Sequence, residues 1–256
     1  MTVLGSGTSQ GVPVIGCDCE VCLSEDPQDR RLRTSIYLTY RGTAISIDIG
    51  PDFRQQMLVN GISDIDAVLL THEHDDHVSG LDDIRPINFR LKKNIPLYGL
   101  PRVLSNLRTR YRYVFDDAYD YSGKPRIDLI EINTDPLCIG SLEIQPVEIM
   151  HGNLAILGYR LGEFAYLTDV KTIDEAWIEK LQGLDVLILN ALHRRTHYSH
   201  LNLEEAIDMI GRINPRRTYL THLSHNMGLA AEVAHELPEG VSLAYDGLKL
   251  EIDYDT

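Results

Sequence analysis

The sequence predicts an α/β fold. Strand-sized apolar runs recur from one end of the chain to the other, and helix-length segments fall between them. No Ser/Gly-rich linker, low-complexity tract or short-period repeat divides the 256 residues. A chain of this length can bury one large core, so residues 1–256 are expected to form a single domain. The longest apolar stretches, such as Leu184-Asp185-Val186-Leu187-Ile188-Leu189, are too short to cross a membrane.

Taken in order, strands are expected near Val3-Leu4, Ser35–Tyr40, Ala44–Ile49, Ala67–Thr71 and Ile95–Tyr98. They continue near Leu142–Ile149, Ile156–Leu161, Phe164–Thr168, Val186–Leu189, Thr218–Thr221 and Leu248–Ile252. Helices are expected over Asp52–Val59, Pro101–Arg112, Asp174–Leu181, Leu203–Ile213 and Leu229–Glu236. Pro101 suits the first turn of its helix, where a missing N–H costs nothing. Asn202 is placed to cap the helix at Leu203, which ends before Pro215.

The most informative segment is His72-Glu73-His74-Asp75-Asp76-His77, directly after the apolar run Ala67-Val68-Leu69-Leu70-Thr71. Neutral imidazoles and ionised carboxylates are ligands for divalent transition metals. A single histidine is more often a surface or hydrogen-bonded core residue. Four donors on one loop leaving a strand cannot all be absorbed by an apolar core. On a tight loop His72 and His74 can face one ion, while Asp76 and His77 point to a neighbouring position. An open catalytic ion keeps a place for water, so this many donors implies two adjacent metals. Glu73 and Asp75 alternate away from the ligands, toward solvent or the loop itself.

Further donors lie where other strands run out. His151 follows the alternating segment Leu142–Ile149, Asp169 follows Phe164–Thr168, and His222 follows Thr218–Thr221. Ligands gather at one edge of a sheet in this manner. Singly, Asp169 could be a turn residue and each histidine a solvent group. The repetition of strand followed by ligand argues against all three bland readings at once.

Thr71 to His77, with His151, Asp169 and His222 in that order, resembles the metallo-β-lactamase fold superfamily of hydrolases. The resemblance implies a four-layer αββα sandwich, two facing sheets with helices outside. It also implies a ligand set: His72, His74 and His151 for one metal, Asp76, His77 and His222 for the other, and Asp169 bridging both. Asp48 in Ile45-Ser46-Ile47-Asp48-Ile49-Gly50 matches an upstream aspartate that braces the metal loop; otherwise it is a strand-end turn residue.

Cys17, Cys19 and Cys22 lie within six residues, too close for ordinary disulfide pairing. No signal peptide precedes them, so a reduced, cytoplasmic setting is expected. Three thiolates and one further ligand make a closed tetrahedral zinc site, with His225 as the fourth member. The competing reading is a set of free thiols on a loop. Cys138 reads as a small buried apolar residue near a strand start. The opening Val3-Leu4-Gly5-Ser6-Gly7-Thr8-Ser9-Gln10-Gly11-Val12-Pro13, the Cys-x-Cys-x-x-Cys run and Thr221-His222-Leu223-Ser224-His225 together resemble one subfamily. It is that of the metal-dependent phosphodiesterases of bacterial phosphonate-degradation operons, relatives of the tRNA 3′-processing nucleases. That resemblance implies two divalent ions, Zn²⁺ or Mn²⁺, at the active site and one structural Zn²⁺ on Cys17, Cys19, Cys22 and His225.

Charge separates the substrate classes. The chain has 38 acidic and 24 basic side chains, a formal net charge of −14, whereas an RNA-processing enzyme needs a basic footprint. Arg102, Arg108, Arg110 and Arg112 read as a solvated helical face, and Arg30-Arg31-Leu32-Arg33 as a solvated loop. A small phosphodiester therefore fits better than a polymer, with no membrane partner and a homodimer as the base-rate expectation. A water acidified between the metals and held against Asp169 would attack phosphorus, and the leaving alkoxide needs a proton or a positive neighbour. The resemblance implies His200, just before Leu201-Asn202, as the catalytic candidate for that role, against a capping or solvent role; His193 and His197 either join the site or only shape the pocket rim, and His235 is structural. Three other readings share the ligand pattern: a tRNA 3′-end endonuclease, a thioester or lactone hydrolase, and a non-catalytic metal-stabilised binding module.

Overall fold

The computed structural model describes residues 1–116, 118–119, 123–252 and 254. Their strands form two sheets. The first contains β1 (Thr2–Gly5), β2 (Ser35–Tyr40), β3 (Thr43–Ile47), β4 (Ala67–Leu69), β5 (Ile95–Gly99) and β6 (Ile127–Glu131), in that spatial order. The second runs β13 (Val241–Leu243), β12 (Arg217–Thr221), β11 (Val186–Asn190), β10 (Phe164–Leu167), β9 (Leu154–Leu161), β8 (Leu142–His151), β7 (Leu137–Ile139). Both sheets are mixed: β1 to β3 and β7 to β10 are antiparallel neighbours, whereas β3 to β6 and β10 to β13 run parallel.

Strand alternation explains the layers. Within the first sheet Ile45, Ile47, Ala67 and Leu69 meet Leu157, Tyr159, Tyr166 and Ile188 of the second, and these form the core between the sheets. The intervening Val68 and Leu70 turn the other way, onto α2 (Phe53–Val59), α4 (Arg85–Leu91) and α5 (Pro101–Arg110). Likewise Ala165, Leu167, Leu187 and Leu189 face away from the inter-sheet core, toward α7 (Glu175–Lys180), α8 (Leu203–Ile213) and α9 (Ala230–Ala234). Central strands covered on both faces must be apolar at every position, which is why these runs are continuous in the sequence. The result is the αββα order expected.

Shorter helices complete the chain: α1 (Glu20–Leu23), α3 (Asp75–Val78) and α6 (Arg112–Phe115). Asn202 caps α8, accepting from the Glu205 N–H while the Glu205 carboxylate accepts from the Asn202 N–H. The sheets are tied together at one end. Leu157 N donates to Thr71 O, Tyr159 Oη to Leu70 O, and the Thr34 and Thr221 hydroxyls meet at 2.9 Å. These ties join β9 and β12 to the end of the sandwich where the donor residues sit.

Four sequence expectations need correction. Leu248–Ile252 is not a strand; it follows the turn at Asp246-Gly247 and meets β1 through one bridge, Thr2 to Lys249. Cys138 is exposed in the middle of β7, because that strand is at the sheet edge and Leu137 and Ile139 face the core while the residue between them faces out. Arg31 is no solvated loop residue: it is buried and donates to Ser6 Oγ and Ala244 O. Finally, Arg102 and Arg110 leave the helical face to grip the metal-loop segment.

Candidate metal centre

The donors converge at the ends of β4, β8, β10 and β12. Asp48, Asp169 and His222 each follow one of these strands or β3, and each has positive φ, at +63°, +60° and +57°. Left-handed backbone is uncommon outside glycine, and it costs about 1–3 kcal/mol per residue unless surroundings impose it. Here it turns Asp169 and His222 toward each other and Asp48 onto Thr71 and His77. Gly50 allows the approach of α3, since a Cβ there would run into the Asp76 carbonyl.

One group comprises His72, His74 and His151, whose ligand atoms all lie within 4.8 Å of one another. His72 Nε2 and His74 Nδ1 are 2.9 Å apart. That is close to the edge that two imidazoles make at about 2.1 Å from one ion at a right angle, about 3.0 Å. His151 uses its Nδ1–H on the carbonyls of Asp169 and Ser199, both at 2.9 Å, which leaves Nε2 as the free donor atom. His74 is the exposed member, so this group opens to solvent.

A second group comprises Asp76, His77 and His222. Asp76 and His77 lie in the first turn of α3, and His77 Nε2 is 3.2 Å from Asp76 Oδ2. Asp169 lies between the groups: Oδ1 is 3.4 Å from both His77 Nε2 and His222 Nε2, and Oδ2 is 3.9 Å from His72 Nε2. Yet His77 Nε2 and both ring nitrogens of His222 are buried without a hydrogen-bond partner among the described residues. Buried orphan nitrogens facing carboxylates at non-bonding geometry are what a divalent ion would satisfy. The donor set therefore fits two adjacent ions.

Asp48 stands behind the loop. Its carboxylate is fully buried, accepts Nδ1–H of His77 at 2.7 Å, and accepts the Thr71 N–H and Oγ–H at 2.9 and 2.8 Å. This fixes the His77 tautomer so that Nε2 is the open atom. Burial alone would push the Asp169 carboxyl up, but His222, His77, His200 and His72 hold it well below the usual range. Asp76 is likewise held low, His77 and His222 outweighing its burial.

His200 Nε2 is 3.1 Å from Asp169 Oδ2, and burial brings its pKa down to about 4, so the ring is neutral near pH 7. Its Nδ1 contacts Ser199 Oγ at 3.0 Å and His197 Nδ1 at 3.1 Å. His197 thus adjoins the centre through His200; His193 lies farther out, its ring 5.9 Å from that of His197. His235 sits exposed at the end of α9.

The cysteines form the separate cluster expected. Cys17, Cys19 and Cys22 place Sγ at 3.3, 3.3 and 3.5 Å from His225 Nδ1. A tetrahedral zinc with arms of about 2.3 Å to sulfur and about 2.05 Å to nitrogen has S–N edges of about 3.6 Å. The four residues fit that geometry closely. Because His225 follows three residues after His222, this knot anchors the chain that carries a donor of the other centre.

Residues 43–223 match the model of the beta-lactamase superfamily domain. The chain belongs to this superfamily. Among solved structures, this beta-lactamase superfamily member is similar to a new diphosphatase from the PhnP family, with 41% identity and a TM-score of 0.93; the match covers 99% of this chain and 97% of that one. Among curated proteins it is 47% identical to an octanoyltransferase of Porphyromonas gingivalis over 98% of its own length, but it spans only 51% of that relative. It is 25% identical to a ribonuclease Z of Agathobacter rectalis, covering 90% of this chain and 95% of the relative.

Some residues around the centre escaped the sequence reading. Arg102 donates to Glu73 Oε1 and Ala155 O, and Arg110 to Glu73 O while pairing with Asp75. Asn190 fixes the Asp169 turn, accepting from Val170 N and donating to Val170 O. A polar residue ending the apolar run Val186–Leu189 was the available signal for Asn190. Lys171 pairs with Glu205 and reaches His200 O. Among the described residues no helix is long and apolar enough to cross a membrane.

Proposed function

We propose that this protein is a metal-dependent phosphohydrolase acting on a small phosphoric diester or diphosphate. One observation carries the reading: Asp169 sits between two converging donor groups whose buried His77 and His222 nitrogens are otherwise unsatisfied. The similarity to a PhnP-family diphosphatase along nearly the full chain favours phosphorus over carbon as the centre attacked. His72, His74 and His151 would hold one ion, Asp76, His77 and His222 the other, with Asp169 shared. When bound, two such ions supply Lewis acidity that activates water near neutral pH and offsets charge on phosphoryl oxygens.

The chain itself supplies the rest. Asp48 orients His77, the carbonyls of Asp169 and Ser199 orient His151, and Asn190 holds the turn carrying Asp169. His200, neutral through burial, rests with Nε2 against Asp169 Oδ2; with Asp169 engaged by the ions, that nitrogen would be the one to hydrogen-bond a phosphoryl or leaving oxygen. Exposed His74 marks the side from which substrate enters.

A second reading, hydrolysis of an acyl thioester, is favoured by the octanoyltransferase relative. That relative is about twice as long as the matched stretch, so its activity need not reside in the shared part. The test is hydrolysis of bis(p-nitrophenyl) phosphate, a nucleoside 2′,3′-cyclic phosphate, a nucleoside diphosphate sugar and an octanoyl thioester, before and after chelation. Chelator-sensitive release from a phosphorus substrate is the expected result. Turnover of the thioester alone would replace this reading by the second, and tight metal binding without any turnover would leave a binding module.

A further inference from the structure

Beside the metal centre, His74, His151, Gly152, Asn153, Leu154, Tyr198 and Ser199 line an open cleft of about 530 Å³. Tyr198 is its distinctive member: the residue is 83% exposed. An isolated exposed aromatic needs no explanation. This one is not isolated. Its backbone is fixed at the next residue, where buried Ser199 accepts Nδ1–H of His151 through its carbonyl. One hydrogen bond therefore ties the loop that carries the ring to a donor of the centre.

Two neighbours support the ring. His197 lies against it, with centroids 4.8 Å apart and planes 37° from parallel. Gly152, at φ +60°, brings the β8–β9 turn close, and a Cβ there would meet Ser199 Cβ at 3.3 Å and Tyr198 Cδ2 at 3.7 Å. The ring has His197 on one side and lines the same cleft as His74 and His151.

We propose that Tyr198 is a specificity-determining residue that stacks on a planar ring of the substrate, so that the preferred substrate is nucleotide-like: a phosphate for the metal centre with a base one sugar away. This rests on the phosphohydrolase reading and narrows it. Protein net charge of −14 disfavours a polyanionic strand, so a single nucleotide unit is the size that fits. Stacking on an aromatic side chain is sequence-tolerant, so adenine and guanine are both accepted.

The test compares a base-bearing substrate, adenosine 2′,3′-cyclic phosphate, with base-free ribose 2,3-cyclic phosphate in wild-type protein, Y198F and Y198A. The kcat/KM ratio between them should favour the nucleotide and fall roughly tenfold in Y198A, while Y198F keeps it. An unchanged ratio in Y198A, or no preference in the wild type, overturns the proposal. A second measurement does not need turnover: calorimetric binding of AMP and ribose 5-phosphate to the metal-loaded protein. AMP should bind roughly tenfold tighter, with the difference lost in Y198A. If neither phosphodiester is cleaved but this binding difference appears, the hydrolytic reading fails and the stacking site stands. If cleavage occurs with equal binding of both ligands, the stacking proposal fails and the hydrolase stands.

Discussion

Asp48 and Asp169 do different work from similar backbone. Both follow a strand in left-handed conformation, but Asp169 faces the donor groups and Asp48 faces away, onto Thr71 and His77. Asp169→Asn should remove one or more metal ions and reduce turnover at least about a hundredfold, as loss of a single preorganised charge does elsewhere. Inductively coupled plasma metal analysis and kcat measured together check it; full metal retention with unchanged kcat would dismantle the ligand assignment. Asp48→Asn keeps shape but not charge, so a loss of about 10–100-fold in metal affinity or activity is expected, read from metal titration. His200→Ala separates two roles: the phosphohydrolase reading expects lower kcat with metal content preserved, whereas reduced metal content would make His200 a ligand. At the other cluster, Cys19→Ser should release zinc. A metal at a hundred times its Kd adds about 2.7 kcal/mol, and at about 2–4 °C per kcal/mol the Tm should fall by about 5–11 °C. An unchanged Tm with zinc retained would remove the structural site.

Between elements, α5 acts as a brace. Arg102 reaches from its first turn to the metal loop at Glu73 and to β9 at Ala155, the strand paired with β8, which ends at His151. The two sides of the first donor group, loop and hairpin, are thereby held by one guanidinium. Arg102→Ala should weaken metal binding at that group by about 10–100-fold, as lost outer contacts do. Arg102→Lys should not restore it, because an ammonium cannot make both planar contacts; equal metal affinity in wild type and R102A would show the brace to be ornamental. None of this was legible in sequence, since Glu73 and Arg102 are 29 positions apart and nothing local links them. The strands were legible where both faces are buried, as at Ala67–Leu69 and Val186–Asn190. Of the edge strands only β1 was read, at Val3-Leu4: β6 reads Ile-Asp-Leu-Ile-Glu with exposed acids, and β7 and β13 have three residues each. Helix α3 was hidden because its four residues, three of them in the metal motif, are too few for a helical period. The donors themselves were readable because each follows an apolar run that the core demands.

Across the whole molecule, the acidic exterior sets the long-range field. With a formal net charge of −14, an approaching phosphate is repelled until it reaches the donor cluster, where local charge takes over. Mobile salt screens the distant repulsion first: the Debye length is about 20 Å at about 20 mM and about 7 Å at about 200 mM. Interactions inside the centre act over a few ångströms and change far less. For a small anionic substrate, kcat/KM should therefore rise with sodium chloride over that range, by roughly twofold. A nuclease that docks RNA on a basic surface behaves in the opposite way, because counterion release makes binding fall steeply with salt. The structure supplies a reason to expect the first behaviour: Arg102 and Arg110 are engaged with Glu73 and Asp75, and Arg31 is buried beneath the opening loop. Those arginines are spent on the protein itself rather than held out for a phosphate backbone. Steady-state rates on adenosine 2′,3′-cyclic phosphate at two salt concentrations, with a tRNA precursor run in parallel, decide the matter. A steep fall in rate for both substrates would put the alternative ribonuclease reading ahead of the small-substrate one.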